Sequence, residues 1–424
     1  MKKFIFTCSL GLSLATLISW GHAVNGVPLQ AISPSEVSDL ELGDQLLKES
    51  SITSEEKSEQ TAVYRWHTNP QCSSASSPVS LSGWDEPERQ ALLTAVDHSL
   101  KYLSTPKAKT SYRQLASKEF SWQRVKRSLL RFKELLLTSD SPATFEQAVR
   151  SEFVFYQSVG TDNQGTVEFT GYFEPSYTAS RVPTQEYRYP LYRQPSDFQQ
   201  WSKPHPTRAQ LEGLDGLSSK QGKLKGQELV WLRDRLEAYL IQVQGSARLR
   251  LTDGSIMTVG YGGTTDYPYV SIGKELVEDG IFNEDELSLP RILRYFAANP
   301  QQLDQYLPRN NRFIFFRETA GNPPTGSLGV PVTGDRSIAT DKSLMPPGAL
   351  ALIMAPIPDV QSSQENSPSK TPIVSRYVLD QDTGSAIRGA GRVDIFLGSG
   401  EVAGARAGLI NGEGQLFYLL LKDK

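Results

Sequence analysis

The hydrophobic period changes near residue 166, and that change constrains the fold most. Before it, apolar residues recur at helical spacing. "ALLTAVDHSLKYL" puts Leu92, Val96, Leu100 and Leu103 on one face. "SWQRVKRSLLRFKELL" does the same with Trp122, Val125, Leu129, Phe132 and Leu136, and "TFEQAVRSEFVFY" with Phe145, Val149 and Phe153. From "GTVEFTGYFEPSY" onward the chain reads as short strands broken by glycine, proline and aromatics. "EAYLIQVQGSARLRLTDGSIMTVGYGG" predicts two strands around an Asp253–Gly254 turn. "SIGKELVEDG" and "LPRILRYFAANP" return to helix, stopped by Gly280 and Pro300. "NRFIFFRE" opens a second strand series, interrupted by the loop "PDVQSSQENSPSKTP". The pattern predicts a mainly β chain with helical additions, a β-rich α+β fold. Two β domains with a groove between them, one inserted in the other, fit this layout.

The N-terminus reads as an export signal over residues 1–23. "MKK" supplies positive charge, "FIFTCSLGLSLATLISW" the apolar run, and Gly21 and Ala23 the small residues before a cut. The alternative is an uncleaved anchor, since the run is nearly long enough to span a membrane. Cys8 lies early in the run, which speaks against a lipid-anchored cysteine at its end. Export to the periplasm or cell envelope is expected in either case. Residues 24–80 read as an acidic, low-complexity tether: Glu36 to Glu59 holds eight acids and two lysines.

Composition narrows the chemistry. A net charge of −3 gives no broad basic field for nucleic acid. After cleavage Cys72 is alone, which excludes an internal disulfide and a thiolate zinc site. His22, His67, His98 and His205 are scattered without metal-ligand spacing. No metal or other cofactor is implied. Acid–base chemistry must then come from Asp, Glu or Tyr.

The stretch "DTGSAIRGAGRVDIFLG", residues 382–398, puts Asp382 and Asp394 where strands are ordinarily poor in Asp and Gly. An aspartic protease is one reading of "DTG". It needs a second such turn to share a proton, and the chain has one, preceded by Gln381 where that motif carries an apolar residue. Turn closure is another reading. A third carboxylate, Asp341, stands before a Pro-Pro-Gly turn in "SIATDKSLMPPGALALI".

Asp341, Asp382 and Asp394 together resemble the three-aspartate domain of bacterial cell-wall proteins. "FTGYFEP", "YPLY", "QVQGSARLRL", "YGGTTDYPYVSIGKEL", "FIFFRE", "GSLGVPVTGDRSIATDKSLMPPG" and "DTGSAIRGAGRVDIFLG" occur in the order seen in the lytic murein transglycosylase A family. The resemblance runs from about residue 85 to 420. It implies a double-psi β-barrel domain, split over 81–175 and 318–424, with a second β-rich domain inserted at 176–317. A groove between them would take the glycan strands of peptidoglycan.

The resemblance further implies cleavage of the β-1,4 bond between N-acetylmuramic acid and N-acetylglucosamine without water. The muramic C6 hydroxyl attacks its own C1 and leaves a 1,6-anhydro ring. Ordinary glycosidases use two carboxylates; an internal nucleophile makes one sufficient. By motif position Asp394 matches the acid and base. Asp382 and Asp341 are supporting carboxylates or turn acceptors. Glu174 in "GYFEP" is a rival acid. Thr170 and Tyr172 are candidates to touch sugar hydroxyls, Gln244, Gly245 and Ser246 N-acetyl groups, and Tyr261 and Tyr269 pyranose faces. A monomer is expected, with peripheral association at the membrane or cell wall left open. A glycan binder that has lost turnover is the alternative from another functional class.

Overall fold

The computed structural model describes residues 64–67, 85–115, 117–218, 222–358 and 372–423. The expected export signal, most of the tether and nearly all of the loop at 359–373 lie outside them. Within the tether, Tyr64–His67 form a short strand, β1, paired antiparallel with β2 (Phe153–Ser158).

Between these strands run α1 (Glu86–Leu103), α2 (Pro106–Gln114), α3 (Trp122–Thr138) and α4 (Pro142–Glu152). The side chains of Asp85, Thr105, Ser121 and Ser141 each accept a first-turn N–H. Those donors would otherwise be unpaired. The expectation that Phe153 continues a helical face is overturned. α4 stops at Glu152, and "FVFYQS" is buried at every position, which a strand covered on both faces achieves.

β3 (Val167–Glu174) passes through Pro175 directly into β4 (Ser176–Ser180). β4 belongs to a second sheet with β5 (Tyr189–Tyr192), β6 (Glu228–Leu232), β7 (Ser246–Leu251), β8 (Ile256–Thr264) and β9 (Ile314–Glu318). Its order is β5-β6-β4-β7-β8-β9. The strand expected over "EAYLIQVQ" is instead a helix, α5 (Arg235–Gln244). Asp234 caps its start, and Gly245 closes it with φ 80°, a conformation that favours glycine. The hairpin beyond it forms as expected, β7 against β8 around Asp253–Gly254. Val230, Ile241, Leu249, Val259 and Phe316 are the core of this sheet. α6 (Ile272–Glu278) and α7 (Leu289–Ala298) contribute to a smaller core through Leu276 and Phe296.

After β9 the chain returns as β10 (Ser337–Ala339), β11 (Leu350–Pro356), β12 (Ile373–Asp382), β13 (Arg392–Ser399), the short helix α8 (Glu401–Ala407) and β14 (Asn411–Leu421). Six strands close a ring in the order β14-β11-β12-β10-β13-β3 and back to β14. Pairs β10–β12 and β13–β3 are parallel, the rest antiparallel. β14 pairs with β3 first and with β2 and β11 later. At the changeover, a Cβ on Gly414 would stand 2.1 Å from the Met354 carbonyl oxygen, so only glycine fits. The architecture is the β-rich one read from the sequence: a double-psi barrel carrying helices, with a second sheet inserted between β3 and β10.

The helices seal the barrel. Val96, Leu129, Phe132 and Val149 are fully buried against it. Phe132 packs edge-on to Phe145 at 5.3 Å and to Tyr377 of β12 at 5.2 Å. Burying one such ring contributes about 1.5–3 kcal/mol. Among the described residues, no helix is long and apolar enough to cross a membrane.

Candidate active site

Strand order builds the site. β10 lies between β12 and β13, and its Ala339 is in register with Asp382 on one side and Asp394 on the other. Asp394 is also in register with Thr170 of β3. One row across four strands therefore reads Asp382, Ala339, Asp394, Thr170. Such a row projects to one face of the sheet, and the two aspartate backbones stand about two strand spacings apart, roughly 10 Å. No hydrogen bond joins the two carboxyls among the described residues. A protease dyad must share one proton, and this arrangement does not provide it.

Asp394 is held from the side. Thr170 Oγ1 donates to its Oδ1. Arg392 Nη2 donates to Thr170 Oγ1 at 3.0 Å and lies 3.8 Å from Asp394 Oδ1, while its Nη1 pairs with Glu168 at 3.1 Å. The Asp394 side chain keeps only 23% of its surface. Burial pushes its pKa up to about 6; Arg392 opposes the rise and Asp382 adds to it. Val393 and Ile395 point into the barrel core. Phe396, on the Asp394 face, packs against Tyr172 at 5.1 Å.

Asp382 is tied more firmly. Its Oδ2 accepts from the Tyr172 hydroxyl at 2.9 Å, and its Oδ1 from the N–H groups of Ser327 and Thr383, both at 2.8 Å. Burial raises its pKa, and these donors work against the rise. Behind it lies a fully buried carboxylate that sequence reading missed. Asp380 accepts from Lys342 Nζ, from Thr340 Oγ1 at 2.8 Å and from the Tyr418 hydroxyl at 2.8 Å. Lys342 also donates to the Asp382 carbonyl oxygen. Their 38-residue separation gave no local signal.

Asp341 closes turns. Its Oδ1 accepts from the Ser343 N–H at 3.0 Å and hydroxyl at 2.6 Å, and its Oδ2 from the Gly389 N–H at 2.9 Å. That last bond fastens the β12–β13 loop. Glu174 is 1% exposed and bonded to the Ser399 hydroxyl at 2.7 Å, with Arg248 at 3.7 Å. It sits at the crossover from barrel to second sheet, outside the cleft lining.

A cleft of about 660 Å³ runs between barrel and second sheet. Tyr172, Phe396, Asp341 and Asp382 line its barrel wall; Gln244, Gly245, Ser246, Tyr261 and Tyr269 line the opposite one. Asp394 and Thr170 stand just beside this lining, close enough for the Asp394 charge to bear on Tyr172 and Tyr269. Gln244 Oε1 accepts the Phe173 N–H at 3.1 Å, which joins the walls. Gly245 serves as the α5 cap. Tyr261 is half exposed. Arg312 and Arg388, which the sequence reading did not single out, also line the cleft. Among the described residues, no group of three His, Cys, Asp or Glu side chains is placed to hold a metal ion.

This arrangement has counterparts. Residues 168–317 match the family described as MltA specific insert domain, and residues 336–420, which include all three aspartates, match the 3D domain. The membrane-bound lytic murein transglycosylase A of Vibrio cholerae is 31% identical over 295 residues, 68% of this chain and 74% of that protein. The crystal structure of a membrane-bound lytic murein transglycosylase from Agrobacterium tumefaciens superposes with a TM-score of 0.64 at 26% identity, covering 81% of this chain and 95% of the other. Escherichia coli MltA with bound chitohexaose gives a TM-score of 0.62 at 26% identity, covering 79% and 90%.

Proposed function

This chain belongs to the lytic murein transglycosylase A family, and on that footing we propose that it cuts peptidoglycan glycan strands between N-acetylmuramic acid and N-acetylglucosamine without adding water. Asp394 first gives its proton to the glycosidic oxygen as the bond to muramic C1 breaks. The ionised carboxylate then takes the proton of the muramic C6 hydroxyl as that oxygen bonds to C1. The products are a free N-acetylglucosamine end and a 1,6-anhydro muramic end. Held in place, the internal hydroxyl gains an effective molarity of about 10⁵ M or more.

The observation that carries this reading is the Asp394 carboxyl, with its pKa raised to about 6 beside a glycan-sized cleft. A carboxyl of that kind keeps a protonated fraction toward neutral pH far larger than an ordinary aspartate does, and once ionised it is a competent base. Asp382 sits in the same row, where its charge would stabilise positive charge growing on the sugar ring. Asp341 braces the loop that carries Arg388. Thr170 orients Asp394, and Tyr172 orients Asp382. Tyr261 and Tyr269 offer faces for pyranose rings, and Gln244 and Ser246 polar groups for N-acetyl substituents. Binding of chitohexaose by the Escherichia coli relative supports a glycan in this cleft. We take residues 81–175 and 318–424 as the catalytic domain, 176–317 as the insert, and the cell envelope, where the substrate lies, as the site of action.

Mass spectrometry of peptidoglycan digested by the purified chain tests the reading. Soluble fragments one water lighter than hydrolysis products are expected, and none from Asp394→Asn. Products of ordinary mass would make it a hydrolase with a second carboxylate. Binding without release would make it a glycan binder.

A further inference from the structure

The cleft carries more positive charge than it neutralises. Its lining carboxylates, Asp341 and Asp382, are already engaged by three donors each. Lys342 is matched by Asp380, and Arg208 by Glu212 at 3.2 Å. Arg317 donates to the Tyr261 carbonyl at 3.3 Å, and neither it nor Arg312 nor Arg388 has a carboxylate that close among the described residues; Arg312 and Arg388 are the two whose charges bear on each other. Arg312, on the second-sheet wall, donates through Nη1 to the Tyr267 carbonyl at 3.0 Å and pairs with no carboxylate among the described residues. Arg388, on the barrel wall, is 71% exposed and reaches Asp341 only at 3.9 Å. Their charges repel: burial lowers the Arg312 pKa, and Arg388 lowers it further. Burial deprives the Arg312 guanidinium of water, and the exposed Arg388 guanidinium adds like charge to the same cleft, so an anion there would be attracted by both.

A strand made only of N-acetylglucosamine brings no anion. Peptidoglycan brings one at every muramic residue: the lactyl carboxylate where the peptide is gone, or stem-peptide carboxylates where it is present. Either matches the planar, multidonor geometry of guanidinium.

We infer that Arg312 and Arg388 form a carboxylate subsite that takes the lactyl or stem-peptide carboxylate of a muramic residue, so that the cleft selects muramic-acid strands over neutral ones. The inference rests on the glycan-cleaving reading above and assigns to that cleft the groups that tell its substrate from chitin.

The test is equilibrium binding to the full chain carrying Asp394→Asn, which stops turnover. Chitohexaose is compared with peptidoglycan strands of the same length, with and without peptides. Muramic strands should bind about ten-fold tighter at low salt, with the preference shrinking as salt rises. Arg388→Gln, at an exposed position that puts little of the fold at risk, should reduce the preference about three-fold. Adding Arg312→Gln should abolish it, with both muramic strands falling to the chitohexaose affinity of the same variant. A preference for peptide-free strands assigns the lactyl carboxylate; one for peptide-bearing strands assigns the stem. Equal affinity for all three ligands, or parallel loss of all three in the variants, overturns the inference while leaving the glycan reading intact. Binding of none of them removes both.

Discussion

The two walls of the cleft are built differently. On the barrel wall the carboxylates are immobilised. Asp382 has three donors, Asp341 three, and Asp394 is pinned by Thr170, all on or beside closed-barrel strands. On the second-sheet wall, Tyr261 is half exposed and Arg312 has a single side-chain bond. Proton transfer tolerates little misplacement, whereas a chain of sugars is recognised by faces and amides that can adjust. On the proposed reading, the barrel wall serves the chemistry and the insert wall the grip.

Replacing residues on either wall should therefore move different quantities. Asp394→Asn is expected to lower kcat about 10³-fold or more while strand affinity is kept, measured by turnover and equilibrium binding. Loss of affinity instead would erase the division between walls. Lys342→Met strands the Asp380 carboxylate without its cation, and denaturant unfolding should show a loss of about 3–5 kcal/mol. A small loss would mean that the barrel wall is not held from behind by this pair. On the other wall, Tyr261→Ala should raise KM about 3–10-fold with kcat unchanged. A fall in kcat would give the insert a part in the chemistry.

The smallest effects are shifts in pH dependence. Asp394 must be protonated to donate, so turnover should fall as pH rises through about 6. Asp382→Asn removes a like charge and lowers the Asp394 pKa, moving this limb to lower pH. Arg392→Gln removes an opposite charge and moves it to higher pH. Rate profiles of the two variants should bracket the parent; shifts in the same direction would discount these charges as the cause.

The sequence revealed the helical faces, the β-rich remainder and the carboxylates worth testing, because periodicity and composition are local. It misled where a short apolar run fits two periods. "EAYLIQVQ" passed for a strand although Asp234 and Gly245, a start and a stop signal, bracket it as a helix. "FVFYQS" passed for helix because Phe153 falls at the right spacing after Val149. The alignment of Asp382 and Asp394 about Ala339 is set by β10 entering between β12 and β13, a crossover that no local pattern encodes. The Lys342–Asp380 pair and the facing arginines likewise exist only once distant strands have met.

The central claim is that one carboxyl on the barrel wall is poised to give and then take a proton. Carboxyl ¹³C resonances of the full chain, followed through pH and assigned by the loss of one signal in Asp394→Asn, test this directly. The account predicts a midpoint near 6 for Asp394. A midpoint at the ordinary value for aspartate, about 3.9, would contradict it.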